Sequence, residues 1–389
     1  MRIAFYAPLK APTHGVPSGD RRVAGLLMAA LARANHRVEL VSTFRSYDRD
    51  GDPLRQAALR AQGIALGEQL AADWRAEPAA SRPALWFTYH LYYKAPDWLG
   101  PAASAALGIP YVVAEASHAP KRAGGPWAIG HEGSAAAIRH AALVLAPTRH
   151  DVPCLEALLG SAERIRRLPP FLEVAPFAAA RKARAVHRAR LADTHGIDPK
   201  PPWLVVAAMM RPGDKLASYH ALATALARVR TLPWRLLVAG DGGARAEVEA
   251  TLNRAVPGRT TFLGALDAAA LAAACAAGDL FVWPAVNEAY GMSMLEAQAA
   301  GLPVVSCALR GVPDIVIDGR TGLLAPPADP PAFAAHVRAL LEDPSRRRAM
   351  GDAAADFVDA ERDIGVAAQT LDAALAQVAS GGPRAAARS

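Results

Sequence analysis

The sequence predicts an α/β protein built from two doubly wound, parallel-sheet domains. Its 389 residues suit two domains of ordinary size. Short apolar runs alternate with longer helical stretches, and this alternation occurs as two successive series, which is typical of parallel sheets covered by helices. Each run is too short for a helix and lies between glycine, proline or aspartate residues. The predicted strands are residues 3–7, 38–42, 85–89, 111–114, 143–146, 204–208, 236–239, 261–263, 280–283 and 304–306.

A pair of prolines separates the two series. Pro169 and Pro170 end regular structure, so we place the domain boundary just after them. A polar, arginine-rich helix over residues 178–195 should lead into the second domain, and residues 344–378 read as two helices. The predicted division is residues 1–172, residues 173–360, and residues 361–389, the last comprising a C-terminal helix and a disordered tail.

Composition and charge exclude several classes of protein. Hydrophobic residues make up 52% of the chain, but no run is long enough to predict a membrane-spanning helix. The N-terminus reads as a strand rather than a secretory signal, and three scattered cysteines without metal spacing suit a reducing cytoplasm. The net charge is +7, with arginine clusters at residues 164–167, 181–190 and 346–348. No nucleic-acid motif is present, so we expect no nucleic-acid partner; solvated helix faces are the ordinary interpretation, and peripheral contact with an anionic membrane is the alternative hypothesis.

The most informative segment is residues 287–303, which joins two predicted strands. Gly291 indicates that the intervening helix begins only after it. Glu288 would then lie in the loop and Glu296 in the first turn of the helix, where the two carboxylates could bind different hydroxyls of one extended ligand.

The start of this helix also predicts an anion site. The unpaired amides of Gly291, Met292 and Ser293 would face the phosphates of a ligand. Two ordinary explanations stay open: Ser293 and Glu296 have the spacing of a capping box, and Glu288 can be a solvated loop residue.

Two further segments of the second domain follow predicted strands. Arg211 and Lys215 come after its first strand, and a planar guanidinium and a compact ammonium both suit a diphosphate. The ordinary explanation is a Pro-Gly-Asp turn between solvated charges. Gly240, Gly264 and Leu266 follow the next two strands, where glycines let the backbone approach a flat ring, although neither segment is diagnostic alone.

The first domain offers weaker candidates. Gly19 and Asp20 stand between the first strand and the first helix, without the spacing of a dinucleotide-binding loop, and Asp20 can equally be a helix N-cap. His118 follows a strand, although a lone histidine is more often structural. Residues 48–52 contain an Asp-x-Asp pattern without the rest of a calcium loop, so we read them as a solvated loop.

The segment around Glu288 and Glu296 resembles the E-x7-E signature of retaining glycosyltransferases of the GT-B fold, and is most similar to glycosyltransferase family 4, also called glycosyl transferases group 1. The likeness includes the Tyr-Gly after the first glutamate, the Leu-Glu-Ala of the helix and the Ala-Gly-Leu-Pro-Val-Val exit. It covers nearly the whole chain, most firmly residues 200–325. It implies two Rossmann-like domains facing a central cleft, with the nucleotide sugar in the C-terminal domain, the acceptor mostly in the N-terminal domain, and the last helix crossing back to the N-terminal domain.

The resemblance also implies roles for individual residues. The implied catalytic residues are Glu288, Arg211, Lys215 and His118. The implied donor-binding residues are Glu296, Gly291, Met292, Ser293, Gly240, Gly264 and Leu266. Gly19 and Asp20 would form the acceptor and phosphate loop, where the family usually carries two adjacent glycines and this chain has Ser18-Gly19-Asp20. No metal or other cofactor is expected, because Arg211, Lys215 and the helix N-terminus would stabilise the leaving diphosphate.

The implied reaction is transfer of a sugar from a UDP- or GDP-linked donor, with retention at the anomeric carbon, to an unidentified acceptor such as a lipid-linked or cell-envelope glycan. Two other classes stay open. One is another enzyme on the same fold, a nucleotide-sugar epimerase or a phosphorylase, and dependence on inorganic phosphate would separate the phosphorylase. The other is a non-catalytic protein with a basic binding surface, which would show steeply salt-dependent binding without affinity for nucleotide sugars.

Overall fold

The computed structural model describes residues 1–16 and 18–380. The chain forms two compact units: Met1–Pro169 together with the chain from Ile364, and Pro170–Asp363. The predicted disordered tail, residues 381–389, lies outside the described residues.

The first unit is built on a six-stranded parallel sheet. Its strands are β1 Arg2–Tyr6, β2 Arg37–Ser42, β3 Leu85–Leu91, β4 Tyr111–Ala116, β5 Leu143–Ala146 and β6 Ile165–Arg167. They lie in the order β2-β1-β3-β4-β5-β6. From β1 the chain adds β2 on one side, and it then adds β3 on the other side of β1. The position between the carboxyl ends of β1 and β3, where the direction changes, is the switch point of the sheet. Ligands usually bind at such a point.

Helices cover this sheet, which explains why β1, β3 and β5 contain no exposed residue. The helices are α1 Gly19–Arg33, α2 Pro53–Ala76, α3 Gly100–Leu107, α4 Ala128–His140, α5 Val152–Leu159 and, from the end of the chain, α15 Ile364–Ser380. The last of these packs against α1, and Asp372 Oδ1 on α15 lies 3.3 Å from His36 Nε2.

The second unit repeats the architecture. Its strands are β7 Trp203–Ala207, β8 Arg235–Ala239, β9 Thr260–Gly264, β10 Leu280–Val282, β11 Val304–Cys307 and β12 Gly322–Ala325, in the order β12-β11-β10-β7-β8-β9. Its helices are α6 Ala175–Lys182, α7 Arg184–His195, α8 Asp214–Leu226, α9 Arg245–Ala255, α10 Ala268–Ala277, α11 Met292–Ala299, α12 Val312–Ile315, α13 Pro330–Glu342 and α14 Pro344–Glu361. The switch point of this sheet lies between β7 and β10.

The predicted strands all occur, within two residues at each end, and two edge strands were missed. β6 has the sequence Ile-Arg-Arg and β12 begins with a glycine, so neither shows the apolar run of a central strand. The single helix predicted over residues 178–195 is wrong, because the chain forms α6 and α7 with a break at Ala183. In the part of the chain that the structure describes, no helix is long and apolar enough to cross a membrane.

Candidate functional site

An ion pair stands at the switch point of the second unit. Lys215 lies in the first turn of α8, which follows β7, and Glu288 lies in the loop that follows β10. The Lys215 ammonium donates to the Glu288 carboxylate, and both side chains are mostly buried, at 28% and 18% exposure. The ammonium also lies 5.6 Å from the centre of the Trp283 ring. The two residues that the sequence predicted separately are therefore direct partners.

The loop that carries Glu288 is fastened to α8. Asn287 Nδ2 donates to Asp214 Oδ2 at 2.7 Å, and the backbone N–H of Val286 donates to Ser218 Oγ at 3.0 Å. Ala285 and Asn287 have the left-handed φ values 57° and 54°, which are uncommon outside glycine. Strained backbone held by side-chain bonds is a frequent feature of functional loops. These contacts fix Glu288 beside Lys215.

The helix α11 begins where the sequence predicted. Gly291 is its N-cap with φ 79°, and Met292 and Ser293 are the first two helical residues. The capping-box alternative is wrong, because that motif needs Ser293 as the N-cap, whereas the N-cap is Gly291, two residues earlier, and no side chain caps the helix. The placement of Glu296 in the first turn is also wrong: it is the fifth helical residue, in the second turn, and only 3% exposed.

Gly240 and Gly264 meet at the ends of β8 and β9. The N–H of Gly240 donates to the carbonyl of Gly264 at 2.8 Å, and both residues have positive φ, at 145° and 73°. A β-carbon on Gly240 would lie 1.9 Å from the carbonyl oxygen of Ala208, so only glycine fits there. Leu266 is partly buried and packs against the core, and Arg211 is exposed in the loop before α8.

The second unit thus gathers its candidates at one edge of its sheet. Arg211, Lys215 and the unpaired amides at the start of α11 bring positive charge to the carboxyl ends of β7 and β10. Glu288 balances part of that charge. Such a set can hold a diphosphate and the hydroxyls of an attached sugar. Within residues 1–16 and 18–380, no group of three or more His, Cys, Asp or Glu side chains could hold a metal ion.

The first unit has a second cluster, at its own switch point. Asp20 lies in the first turn of α1, but it is not the N-cap, because Ser18 accepts the bond from the N–H of Arg21 instead. The Asp20 carboxylate faces His90, at the end of β3, with Oδ1 2.9 Å from Nδ1. Gly19 is the exposed first residue of α1. The N-cap alternative for Asp20 is therefore wrong.

His90 and Glu115 complete this cluster and were not predicted. Both have left-handed φ values, 61° and 60°, and the carboxylate of Glu115 lies 3.8 Å from the His90 ring nitrogen. Burial lowers the pKa of His90, but Glu115, Asp20 and Asp151 together raise it from 6.5 to about 9. Burial raises the pKa of Asp20, but the hydrogen bond and charge of His90 outweigh it and lower that pKa. The signal in the sequence was a histidine and a glutamate at the ends of two predicted strands.

His118 makes a different contact from these residues. Its ring lies against that of His131, with 4.9 Å between centroids and 35° between the ring planes. Burial, followed by the charges of His131 and Arg139, lowers the pKa of His118, so its ring is neutral at physiological pH. Among residues 1–16 and 18–380, His118 makes no hydrogen bond, ion pair or ring contact with Asp20 or His90, and its implied catalytic role stays a prediction.

The solvated loop predicted at residues 48–52 is confirmed for Arg49, Asp50 and Asp52, which are exposed, and is wrong for Asp48 and Gly51, which are buried. Asp48 is 2% exposed and accepts hydrogen bonds from the N–H groups of Asp50, at 3.3 Å, and Gly51, at 2.9 Å. Asp52 caps α2 by accepting from the N–H of Leu54 at 2.9 Å. These aspartates are structural, because each satisfies backbone donors of its own turn.

Both units match known families. Residues 18–171 match the family described as glycosyl transferase 4-like domain, and residues 201–343 match the family described as glycosyl transferases group 1.

Similar curated proteins carry related names. Alpha-D-kanosaminyltransferase of Streptomyces kanamyceticus is 31% identical over 248 residues, which is 63% of this chain and 61% of that protein. D-inositol 3-phosphate glycosyltransferase of Corynebacterium diphtheriae is 35% identical over 125 residues, which is 31% of this chain and 29% of that protein. The chain therefore spans less than two thirds of the length of these relatives.

Solved structures share the fold over almost the full chain. Sucrose-phosphate synthase from Thermosynechococcus elongatus superposes with a TM-score of 0.74 at 22% identity, covering 98% of this chain and 100% of that one. Anabaena Alr3699/HepE, solved in complex with UDP, superposes with a TM-score of 0.71 at 18% identity, covering 97% and 100%. From these family matches and this shared architecture, the chain belongs to the group 1 glycosyl transferases of the GT-B fold.

Proposed function

We propose that this protein transfers a sugar from a nucleoside diphosphate sugar to an acceptor hydroxyl, with retention at the anomeric carbon. The observation that carries the proposal is the Lys215–Glu288 pair beside the N-terminus of α11, at the switch point of the second unit. Family membership supports the same activity.

The donor we favour is a UDP-sugar, with a GDP-sugar as the alternative. Alr3699/HepE was solved with UDP and with UDP-glucose, and it shares the fold of this chain. In our proposal the base lies by the backbone of Gly240 and Gly264, whose geometry leaves no room for a side chain at Gly240. The diphosphate lies between Lys215, Arg211 and the amides of α11. The hydroxyls of the ribose donate hydrogen bonds to the Glu296 carboxylate.

The chemistry follows from where charge develops. The bond from the anomeric carbon to the diphosphate breaks, and the bond to the acceptor oxygen forms on the same face of the sugar. The proton of the acceptor hydroxyl passes to a phosphate oxygen of the departing diphosphate. The chain contributes by stabilising the negative charge of that leaving group through the Lys215 ammonium and the start of α11. In this proposal those charges take the place of a metal ion.

Glu288 has two connected tasks in this proposal. Its carboxylate holds the Lys215 ammonium near the N-terminus of α11. It also accepts hydrogen bonds from hydroxyls of the donor sugar. An apolar residue at position 288 would release the Lys215 ammonium and would also remove the hydrogen-bond acceptor for the sugar hydroxyls. A loss at either residue should therefore lower turnover more than it lowers donor affinity.

The test begins with the donor. Calorimetric titration of the full chain with UDP-glucose, UDP-galactose, UDP-N-acetylglucosamine and GDP-mannose should show binding of at least one of them, and added EDTA should leave that binding unchanged. NMR of the transferred product then gives the anomeric configuration. Failure of every nucleotide sugar to bind would overturn the proposal, and an inverted product would overturn retention. Turnover that requires inorganic phosphate would reassign the protein as a phosphorylase.

Peripheral membrane contact stays a hypothesis. Several arginines of the basic clusters have intramolecular partners: Arg184 and Arg188 bind Asp279, and the buried Arg347 donates to the carbonyl of Leu340. Only the remaining charges of these clusters are available to a lipid surface. Flotation with vesicles that contain anionic lipid tests the hypothesis, and no flotation at physiological salt would remove it.

A further inference from the structure

A row of aromatic rings extends from the His90 cluster across the surface of the first unit. The chain turns sharply after β3, where the N–H of Ala95 donates to the carbonyl of Tyr92 at 2.8 Å. The Tyr92 ring lies 5.2 Å from that of His90 and 5.4 Å from that of Tyr93. The Tyr93 ring in turn lies 5.7 Å from Trp127. We name Tyr92, Tyr93 and Trp127 the ring platform; each of the three is partly exposed.

Two cations lie over the far end of the ring platform. The Lys94 ammonium is 4.3 Å from the centre of the Trp127 ring. The Arg122 guanidinium is 5.2 Å from the centre of Tyr93 and 5.7 Å from that of Trp127. A guanidinium that lies over aromatic faces keeps its N–H donors in its own plane, where they can form paired hydrogen bonds with a carboxylate or phosphate.

The ring platform is held in place by buried polar groups. Trp127 Nε1 donates to the carbonyl of Asp48 at 3.2 Å, and the N–H of Asp48 donates to the carbonyl of Lys94 at 2.8 Å. The side chain of Gln56 donates to the carbonyl of Pro126 at 2.8 Å. The buried Asp48 turn therefore connects the loop after β3 to the loop before α4. A site held in this way is preorganised, which lowers the entropic cost of binding.

The two ends of the row differ in charge. Near His90 are the carboxylates of Asp20 and Glu115, which accept hydrogen bonds from hydroxyls. Near Trp127 are the cations Lys94 and Arg122. The neighbouring rings stand steeply to one another, at 77° between Tyr92 and Tyr93 and 75° between Tyr93 and Trp127. Tyr92 lies between the two charged ends, and the C–H face of a pyranose can pack against its ring. A ligand that satisfies both ends has free hydroxyls at one end and an anion at the other.

We propose that the ring platform with Lys94 and Arg122 is an acceptor subsite for a sugar that carries a phosphate or a carboxylate. This inference rests on the proposed function, because it names the acceptor class for that reaction. The sugar packs on Tyr92, its anionic group binds Arg122 and Lys94 over Tyr93 and Trp127, and its hydroxyls point toward Asp20 and His90.

The test compares anionic and neutral sugars on the full chain by calorimetry. The probes are glucose 6-phosphate, glucuronate, glucose and inorganic phosphate. We expect at least one of the two anionic sugars to bind about ten- to a hundredfold more tightly than glucose and than inorganic phosphate, because charge-assisted hydrogen bonds add to ring stacking. The comparison of glucose 6-phosphate with glucuronate shows which anion the subsite takes. Equal binding of all sugars, or phosphate as tight as both anionic sugars, would overturn the inference.

Variants locate the binding. Arg122→Ala should remove the preference for the anionic sugar, and Trp127→Phe, which keeps a ring, should weaken it less. The matched control is Arg60→Ala, because the Arg60 guanidinium also lies over a tryptophan, 5.6 Å from the centre of Trp98, but outside the ring platform. If Arg60→Ala and Arg122→Ala act alike, the inference is wrong.

Donor titration separates this inference from the proposed function. UDP-glucose binding should be the same in the wild-type protein and in Arg122→Ala. If a nucleotide sugar binds while no anionic sugar is preferred, only the acceptor subsite is refuted. If no nucleotide sugar binds the wild-type protein, the proposed function itself fails.

Discussion

His90 in the first unit keeps its ring proton at neutral pH, where most histidines have lost theirs. Its Nδ1 lies 2.9 Å from Asp20 Oδ1 and 3.8 Å from Glu115 Oε1. Burial lowers the pKa of the ring, but the charge of Glu115 and the hydrogen bond and charge of Asp20 raise it further, to about 9 from an ordinary 6.5. The ring is therefore an imidazolium at neutral pH, and the proton stabilises the fold.

The sign and size of that stabilisation follow from the two pKa values. Below pH 6.5 the ring is protonated in both the folded and unfolded states, so the full contribution is present. Between pH 6.5 and about 9 only the folded state holds the proton, and the contribution falls as the pH rises. Above about 9 it is gone. A shift from 6.5 to about 9 corresponds to an upper value of about 3 kcal/mol. Because the side chain is 20% exposed, solvent screening should reduce this somewhat.

The assay follows the histidine ring protons by NMR as a function of pH. His90→Asn assigns the resonance and suits the site, because asparagine tolerates the left-handed φ of 61°. We expect the His90 resonance to titrate near pH 9, and Glu115→Gln to lower that midpoint because it removes a neighbouring negative charge. In urea, wild-type protein should lose stability between pH 6.5 and 9.5, and His90→Asn should lose less.

An exposed histidine supplies the control. His195, in the last turn of α7, is exposed and belongs to the other unit. His195→Asn should leave the pH dependence of stability as it is in the wild-type protein. A His90 resonance that titrates near 6.5, or equal losses in His90→Asn and wild type, would refute the electrostatic reasoning.

Three further predictions concern the second unit. Lys215→Ala and Glu288→Ala should each lower turnover by at least about a hundredfold in protein that stays folded, while the exposed Lys200→Ala should leave turnover unchanged in the same assay. Lys215→Ala removes the charge that stabilises the leaving group, and Glu288→Ala removes the carboxylate that holds this ammonium in place. Gly240→Ala should give little soluble protein, because its β-carbon would lie 1.9 Å from a backbone oxygen, whereas Gly196→Ala, with φ 63° and open space around it, should cost about 1 kcal/mol in urea unfolding. EDTA should leave the rate of transfer unchanged, and a rate restored only by Mg²⁺ or Mn²⁺ would contradict the proposal that transfer needs no metal ion.

The central strands were predictable because burial on both faces requires an unbroken apolar run. β3 and β7 are examples, with no exposed residue in either. The two edge strands that were missed, β6 and β12, lack such a run. β6 exposes Arg166 to solvent, and β12 begins at Gly322, where a β-carbon would lie 2.2 Å from the carbonyl oxygen of Val304. Close backbone approach, not hydrophobicity, selects the residue there, and it leaves no pattern in a single sequence.

The candidate donor-binding residues of the second unit were predictable where a single residue determines the local backbone conformation. Glycine is the residue type that adopts a φ of 79° without strain, as Gly291 does, so the start of α11 could be located from the sequence. The burial of Glu296 could not, because it depends on which face of α11 meets the core. The capping-box spacing at Ser293 was misleading for the same reason: a pattern that suits a helix start lay inside the helix.

The His90 cluster needed the sheet order. Asp20 and His90 are 70 residues apart, and they meet only because β1 and β3 are neighbours while β2 lies on the outside. The alternation of strands and helices predicts parallel sheets, but it does not say which strands are adjacent. Once the order is known, any polar residue at the end of β1, β3 or β4 becomes a candidate.

Two units of the same architecture can bind different substrates only if the side chains at the carboxyl ends of their strands differ, because the fold alone does not determine function. Both units place their polar clusters at the switch point of a six-stranded sheet. In the second unit the edge carries Lys215 and the start of α11, which suit an anion. In the first unit two carboxylates face one imidazolium, a set that leaves net negative charge and suits hydroxyl groups. We therefore propose that charge at these two edges, rather than any difference in fold, directs the diphosphate to one unit and the acceptor hydroxyl to the other.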